Sequence, residues 1–165
     1  MDEKNHTLIL TPNVWSEKYY PKSGLFFTRY LKEGNYRNDG TNREIYLFST
    51  YSKTNMWQIH PESLSYAVTC ARKSEHKNII LDCLYPLADF NNYNSLIGFL
   101  GCLLAISEQR GGSLTLMETE DIYNHLPDNI DPPEEVKRDK ISLEDHIYSF
   151  RLKEYLTKNF KIKKF

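Results

Sequence analysis

Asn78-Ile79-Ile80-Leu81-Asp82-Cys83-Leu84 is a continuous apolar run carrying one acid. A strand with one wet face alternates apolar and polar side chains, so a run without alternation predicts a strand covered on both faces, the middle of a sheet. Upstream, Pro61-Glu62-Ser63 opens a helix: Pro suits the first turn, Glu62 favours the helix dipole, and Leu64, Ala67, Val68 and Ala71 fall on one face before an end near Ser74. Downstream, the polar loop Asn91-Asn92-Tyr93-Asn94-Ser95 leads into an apolar helix from Leu96 to Gln109, closed by Arg110-Gly111-Gly112 as a glycine C-cap. Within it Gly98, Gly101 and Ala105 line up at helical spacing, a small-residue stripe expected to bring the helix close to the sheet at about 1 kcal/mol per Gly. Ser113 to Met117 reads as the next strand. Helix, strand, helix, strand implies right-handed βαβ connections and parallel pairing here.

The flanks complete the expected fold. Thr7 to Leu10 reads as a short strand, and Leu25 to Leu31 and Glu44 to Tyr51 are dense in Phe, Tyr, Ile and Leu, with Gly34 and Asn38-Asp39-Gly40 between them. That turn signal predicts an antiparallel hairpin with a long polar loop. Asp121 to Leu126 reads as a short helix. Ser142 with Asp145 three residues later is a variant capping box, and Leu143, Ile147, Phe150, Leu156 and Phe160 form the stripe of a docking C-terminal helix. The expectation is one α/β domain with a mixed sheet: a β-rich part over 1–60, a βαβ-like core over 61–126, an acidic Pro-rich connection over 127–141 and a C-terminal helix over 142–160.

With 165 residues, 40% hydrophobic and 26% charged, the chain is large enough for one core and too small for two comfortable domains. Acids at Asp2 and Glu3 replace the basic segment of a signal peptide, and the longest apolar run, Leu96 to Ile106, is about half a membrane span. Cys70, Cys83 and Cys102 are odd in number, lie in apolar segments and lack C-x-x-C spacing, which predicts reduced core thiols and a cytoplasmic location. The net charge of -1 argues against nucleic acid, yet the charge is uneven. Seven acids and no Lys or Arg lie from Glu118 to Glu135, and six Lys or Arg against Glu154 lie from Arg151 to Phe165. Two such segments suit partners of opposite charge, or each other.

No constellation for catalysis, metal or cofactor emerges. Gly111-Gly112 follows a helix where a phosphate loop would precede one, and the five histidines are scattered singly. No nucleophile-elbow pattern surrounds any Ser. Asp82 and Asp89 are expected at the carboxyl edge of the sheet, where α/β ligand sites gather, and leave a hydrolase open as a lesser reading. Glu118, Glu120 and Asp121 would extend that edge into an acidic rim. Twelve tyrosines and two tryptophans supply rigid, polar-tipped contact area of the kind enriched at protein interfaces.

From Pro61 to about Leu126, the order of helix, acid-ended strand (Asn78 to Asp82), loop, small-residue helix, Gly-Gly and strand resembles a STAS domain, the fold of anti-sigma-factor antagonists. The resemblance implies a regulatory module in a partner-switching pathway, with Ser95 as the phosphorylated position, the loop being Asp89-Phe90-Asn91-Asn92-Tyr93-Asn94-Ser95. The leading expectation is a non-catalytic binding domain, an immunity-type inhibitor that neutralises a basic toxin without membrane or nucleic acid contact. Its contact residues would be Asp89, Tyr93, Glu118, Glu120, Asp121, Tyr123, Asp128, Asp131, Glu134 and Glu135.

Overall fold

The computed structural model describes residues 5–12, 17–31, 42–50, 57–124 and 152–165. Among them lie strands β1 (Thr7–Thr11), β2 (Ser23–Thr28), β3 (Asn42–Phe48), β4 (Gln58–Ile59), β5 (Ile79–Leu81), β6 (Leu114–Thr119) and β7 (Lys161–Lys164). Helices are α1 (Leu64–Lys73), α2 (Leu84–Ala88), α3 (Tyr93–Gln109), α4 (Glu120–Asn124) and α5, described over 152–159. The seven strands form one sheet in the order β4-β3-β2-β5-β6-β1-β7, and every pairing is parallel.

This overturns the expected mixed sheet with an N-terminal antiparallel hairpin. β2 and β3 run parallel, in register from Ser23 opposite Asn42 to Thr28 opposite Leu47. Parallel neighbours need a connection of about a dozen residues, which the segment between them supplies. Asn38-Asp39-Gly40, which suggested the hairpin, lies outside the described residues. The telling signal was Leu25-Phe26-Phe27, buried without alternation in the manner of β5.

The two faces of the sheet are covered unequally. Leu25 and Phe27, Ile79 and Leu81, and Leu114 and Leu116 point into the large core built with α1, α3 and α5. On the other face Phe26, Ile80 and Met117 meet a smaller cluster closed by Tyr20 and Leu31. A 3-10 turn, Glu17–Tyr19, leads into that cover. Leu156 and Phe160 are buried as the expected stripe required, whereas the capping box at Ser142 and Asp145 lies outside the described residues.

Element ends follow local chemistry. Asn92 caps α3 by accepting the Ser95 N–H at 2.8 Å, so the helix starts three residues before the expected Leu96. Gly111 ends it at φ +72°, a left-handed conformation that favours glycine. A Cβ on Gly112 would stand 2.0 Å from the Lys77 carbonyl oxygen, so only glycine lets the chain turn against the entry to β5. His6 is a buried junction: Nδ1 accepts from the Leu114 N–H, which leaves Nε2 to donate to Glu108, and its carbonyl accepts from Lys161 N–H.

Candidate functional site

In a parallel open sheet, ligands gather at the carboxyl edge where neighbouring strands send their connections in opposite directions. Here that point falls between β2, which continues to β3 on one side, and β5, which continues to β6 on the other. Asp82 follows β5 there and Thr28 ends β2. The Asp82 carboxylate, 1% exposed, accepts from Tyr20 Oη at 2.6 Å and from Thr28 Oγ1 on one oxygen, and from the Arg29 N–H at 3.3 Å on the other. Thr28 Oγ1 in turn accepts the Tyr30 and Leu31 N–H groups. One buried acid thus organises the exit of β2, because each donor it engages belongs to that exit or to the segment before the strand.

Glu118, near the end of the adjacent β6, is 2% exposed. Its Oε1 accepts the Thr119 N–H at 2.8 Å, and its Oε2 is buried without a hydrogen-bond partner. Burial pushes this carboxyl up to about 8, with the Asp82 charge adding to the rise, so Glu118 is neutral at pH 7. Burial also raises Asp82, to about 6, against the lowering effect of its hydrogen bonds, so Asp82 is largely ionised at pH 7. The pair carries one negative charge. Tyr30 is raised to about 12, first by burial and then by both carboxyls, and the Cys83 thiol, fully buried, is pushed well above its ordinary value. A thiol so withdrawn is a packing group.

The same edge carries the N-termini of α1 and α3, since a helix returning from a parallel strand starts at the strand's carboxyl end. Asn91 ties them together, Nδ2 donating to the carbonyls of Pro61 and Leu87 at 2.9 Å each. At the other ends, Arg110 donates to the Arg72 and His76 carbonyls. Between the two helices lies an open groove of about 360 Å³. Leu64, Val68 and Phe99 give it an apolar floor, and Glu62, Asn91 and Ser95 a polar rim. Gly98 lines it too, and a Cβ at Gly98 or Gly101 would meet nothing within 4 Å. Gly98, Gly101 and Ala105 are exposed. The small-residue stripe therefore faces away from the sheet, contrary to expectation.

The expected contact residues separate. Asp89 and Asp121 are exposed, Glu120 is half-exposed and pairs with Lys164 at 3.5 Å, and Tyr93 is half-buried against the core. Glu118 and Tyr123, at 2% and 8% exposed, present no side chain to a partner. Asp128, Asp131, Glu134 and Glu135 lie outside the described residues. Ser95 is exposed in the first turn of α3, on the groove rim. The Lys164 pair is one contact between the acidic and basic segments. Among the described residues no group of His, Cys, Asp and Glu could hold a metal, and no helix is long and apolar enough to cross a membrane. The cysteines are free, with Cys70 and Cys83 buried and Cys102 half-buried.

By fold and site this is an all-parallel α/β open-sheet domain with a tied acidic switch point and an open interhelical groove. The chain matches no family model, no curated protein and no solved structure.

Proposed function

We propose that this chain is a non-catalytic protein-binding domain whose contact surface is the groove between α1 and α3. The observation that carries the reading is Gly98: exposed on the groove wall, open above its Cα, and required by no neighbour within the described residues. A mid-helix glycine costs about 1 kcal/mol relative to Ala, a cost that close approach by another chain offsets. The apolar floor beneath a polar rim supports the same reading. In its particular form we read the domain as a cytoplasmic inhibitor of a toxin, with exposed Glu62 on the groove rim favouring a basic partner. Co-expression with a toxin encoded beside its gene tests this. Wild type should protect growth and Gly98→Arg should lose protection while still folding; equal protection by both would move the contact surface elsewhere.

A second reading, the partner-switching module that the STAS resemblance implies, is favoured by Ser95 on the groove rim. A phosphate there would sit in the first turn of α3, add negative charge beside Glu62 and alter what the groove accepts. Incubation with the kinase of such a pathway should label wild type and not Ser95→Ala. Label retained in Ser95→Ala would dismiss Ser95 as the switch.

A further inference from the structure

We infer that the β1–β7 corner of the thinly covered sheet face binds single-stranded nucleic acid, with bases stacking on Phe165 and Tyr19 and phosphates lying over Lys18, Lys161 and Lys163. Strand alternation builds the surface. In register, Thr115, Thr7 and Lys161 form one row across β6, β1 and β7, and Met117, Ile9 and Lys163 form the next. Their neighbours on the other face, Leu114, Leu116, Leu8 and Leu10, are fully buried. A parallel sheet is ordinarily covered on both faces. Here the described cover, Tyr19 and Tyr20, reaches Met117 and Ile9 and stops there. Thr7, Ile9 and Thr115 are therefore only half-buried, and Lys161 and Lys163 are exposed.

Aromatic and charged groups converge on this corner. The rings of Tyr19 and Phe165 meet with centroids 5.3 Å apart, and Phe165 is 56% exposed, so much of its ring is open to a stacking partner. Lys18 Nζ lies 5.0 Å from the centre of the Tyr19 ring and Lys163 Nζ 5.9 Å from that of Phe165. Among the described residues Lys18, Lys161 and Lys163 form no ion pair with a carboxylate. The acids at the carboxyl edge leave these charges standing: Asp82 and Glu118 are buried, and Glu120 pairs with Lys164. Asp121 is exposed on α4, whose Tyr123 packs into the core of the opposite face. The net charge of -1 is an average over the chain, and this corner departs from it. Rings flanked by ammonium groups suit a single strand, whose bases are free to stack while its phosphates take the cations; a duplex hides its bases. An acidic polypeptide would engage the lysines and leave the ring pair without a role.

Fluorescence anisotropy of the full chain with labelled oligothymidylate and oligouridylate of about 15 nucleotides tests the inference. Wild type should bind both in the micromolar range at low salt. Log affinity should fall against log salt with a slope of about −2, for three phosphates at about 0.7 each. Lys161→Ser and Lys163→Ser should each weaken binding and make the slope shallower by about 0.7. Phe165→Ala should weaken binding by about tenfold and leave the slope unchanged, because it removes stacking and no charge. These side chains are exposed, and circular dichroism with thermal melts verifies that each variant folds. Gly98→Arg, in the groove on the opposite face, should bind as wild type does, so failure of the groove reading and failure of this one show in different variants. Absence of binding to both oligonucleotides at low salt overturns the inference, as does binding indifferent to Lys161, Lys163 and Phe165. Polyglutamate bound as tightly as the oligonucleotides would mark the corner as a surface for an acidic protein and overturn it too.

Discussion

Glycines in this chain do opposite work according to what lies above their Cα atoms. Gly112 abuts the Lys77 carbonyl, so Gly112→Ala forces backbone apart and should destabilise the domain by several kcal/mol, lowering the urea midpoint sharply. Gly98→Ala and Gly101→Ala meet open space, and each should raise stability by about 0.5–1 kcal/mol in the same titration. If Gly98 serves a contact, the more stable variant should also bind more weakly, which separates its fold cost from its use. Asp82 is the other decisive residue. Asp82→Asn keeps the shape but removes a charged acceptor from Tyr20, Thr28 and the Arg29 N–H, leaving buried donors poorly matched. A loss of about 2–4 kcal/mol at pH 7 is expected, measured by denaturant unfolding. The sequence marked Asp82 as an acid closing a buried strand, yet its partners Tyr20 and Thr28 are more than fifty positions away and no local pattern announces them. Glu118 reads as surface in the sequence for a related reason: it begins an acidic run, while its strand still lies inside the sheet.

At the scale of elements, legibility depended on whether the signal was local. α1, α3, β5 and β6 were readable because periodicity, cap residues and apolar runs reside within each segment. The direction of β2 against β3 was not, since parallel and antiparallel strands are built from the same residues and differ only in the path between them. The unbroken burial of β2 carries the answer, and the Asn38-Asp39-Gly40 turn signal points the other way. β7 escaped notice because Lys161, Lys163 and Lys164 read as a basic tail; on an edge strand the same lysines discourage further pairing. It nonetheless covers β1, with Lys161 N–H bonded to the His6 carbonyl and Phe165 N–H to that of Leu10. Removing 161–165 would expose the hydrogen-bonding edge of a strand rich in Leu and Ile. The truncated chain should lose stability and aggregate, visible as light scattering on storage, while a Lys163→Ser variant with β7 intact should remain clear.

For the molecule as a whole, the two buried carboxyls make stability fall as pH rises. Both folded-state values lie above the ordinary ones, so between the two limits the folded form holds more protons than the unfolded chain, and each added pH unit favours unfolding. Asp82 contributes between about 4 and 6, and Glu118 between about 4.5 and 8. The stabilisation is complete below those ranges and gone above them. For Glu118 the shift corresponds to roughly 4 to 5 kcal/mol, a large part of the 5–15 kcal/mol typical of a domain. Denaturant unfolding at a series of pH values should therefore show wild type weakening steadily up to about pH 8 and levelling beyond it. Glu118→Gln keeps the size and the neutral state at every pH, so its curve should coincide with wild type below about pH 4, lie above it at pH 9 and lose most of its slope above pH 6, where Asp82 no longer contributes. A Glu118→Gln curve parallel to wild type over that range would mean that the carboxyl ionises in contact with water and that the carboxyl edge is open where the fold describes it as closed.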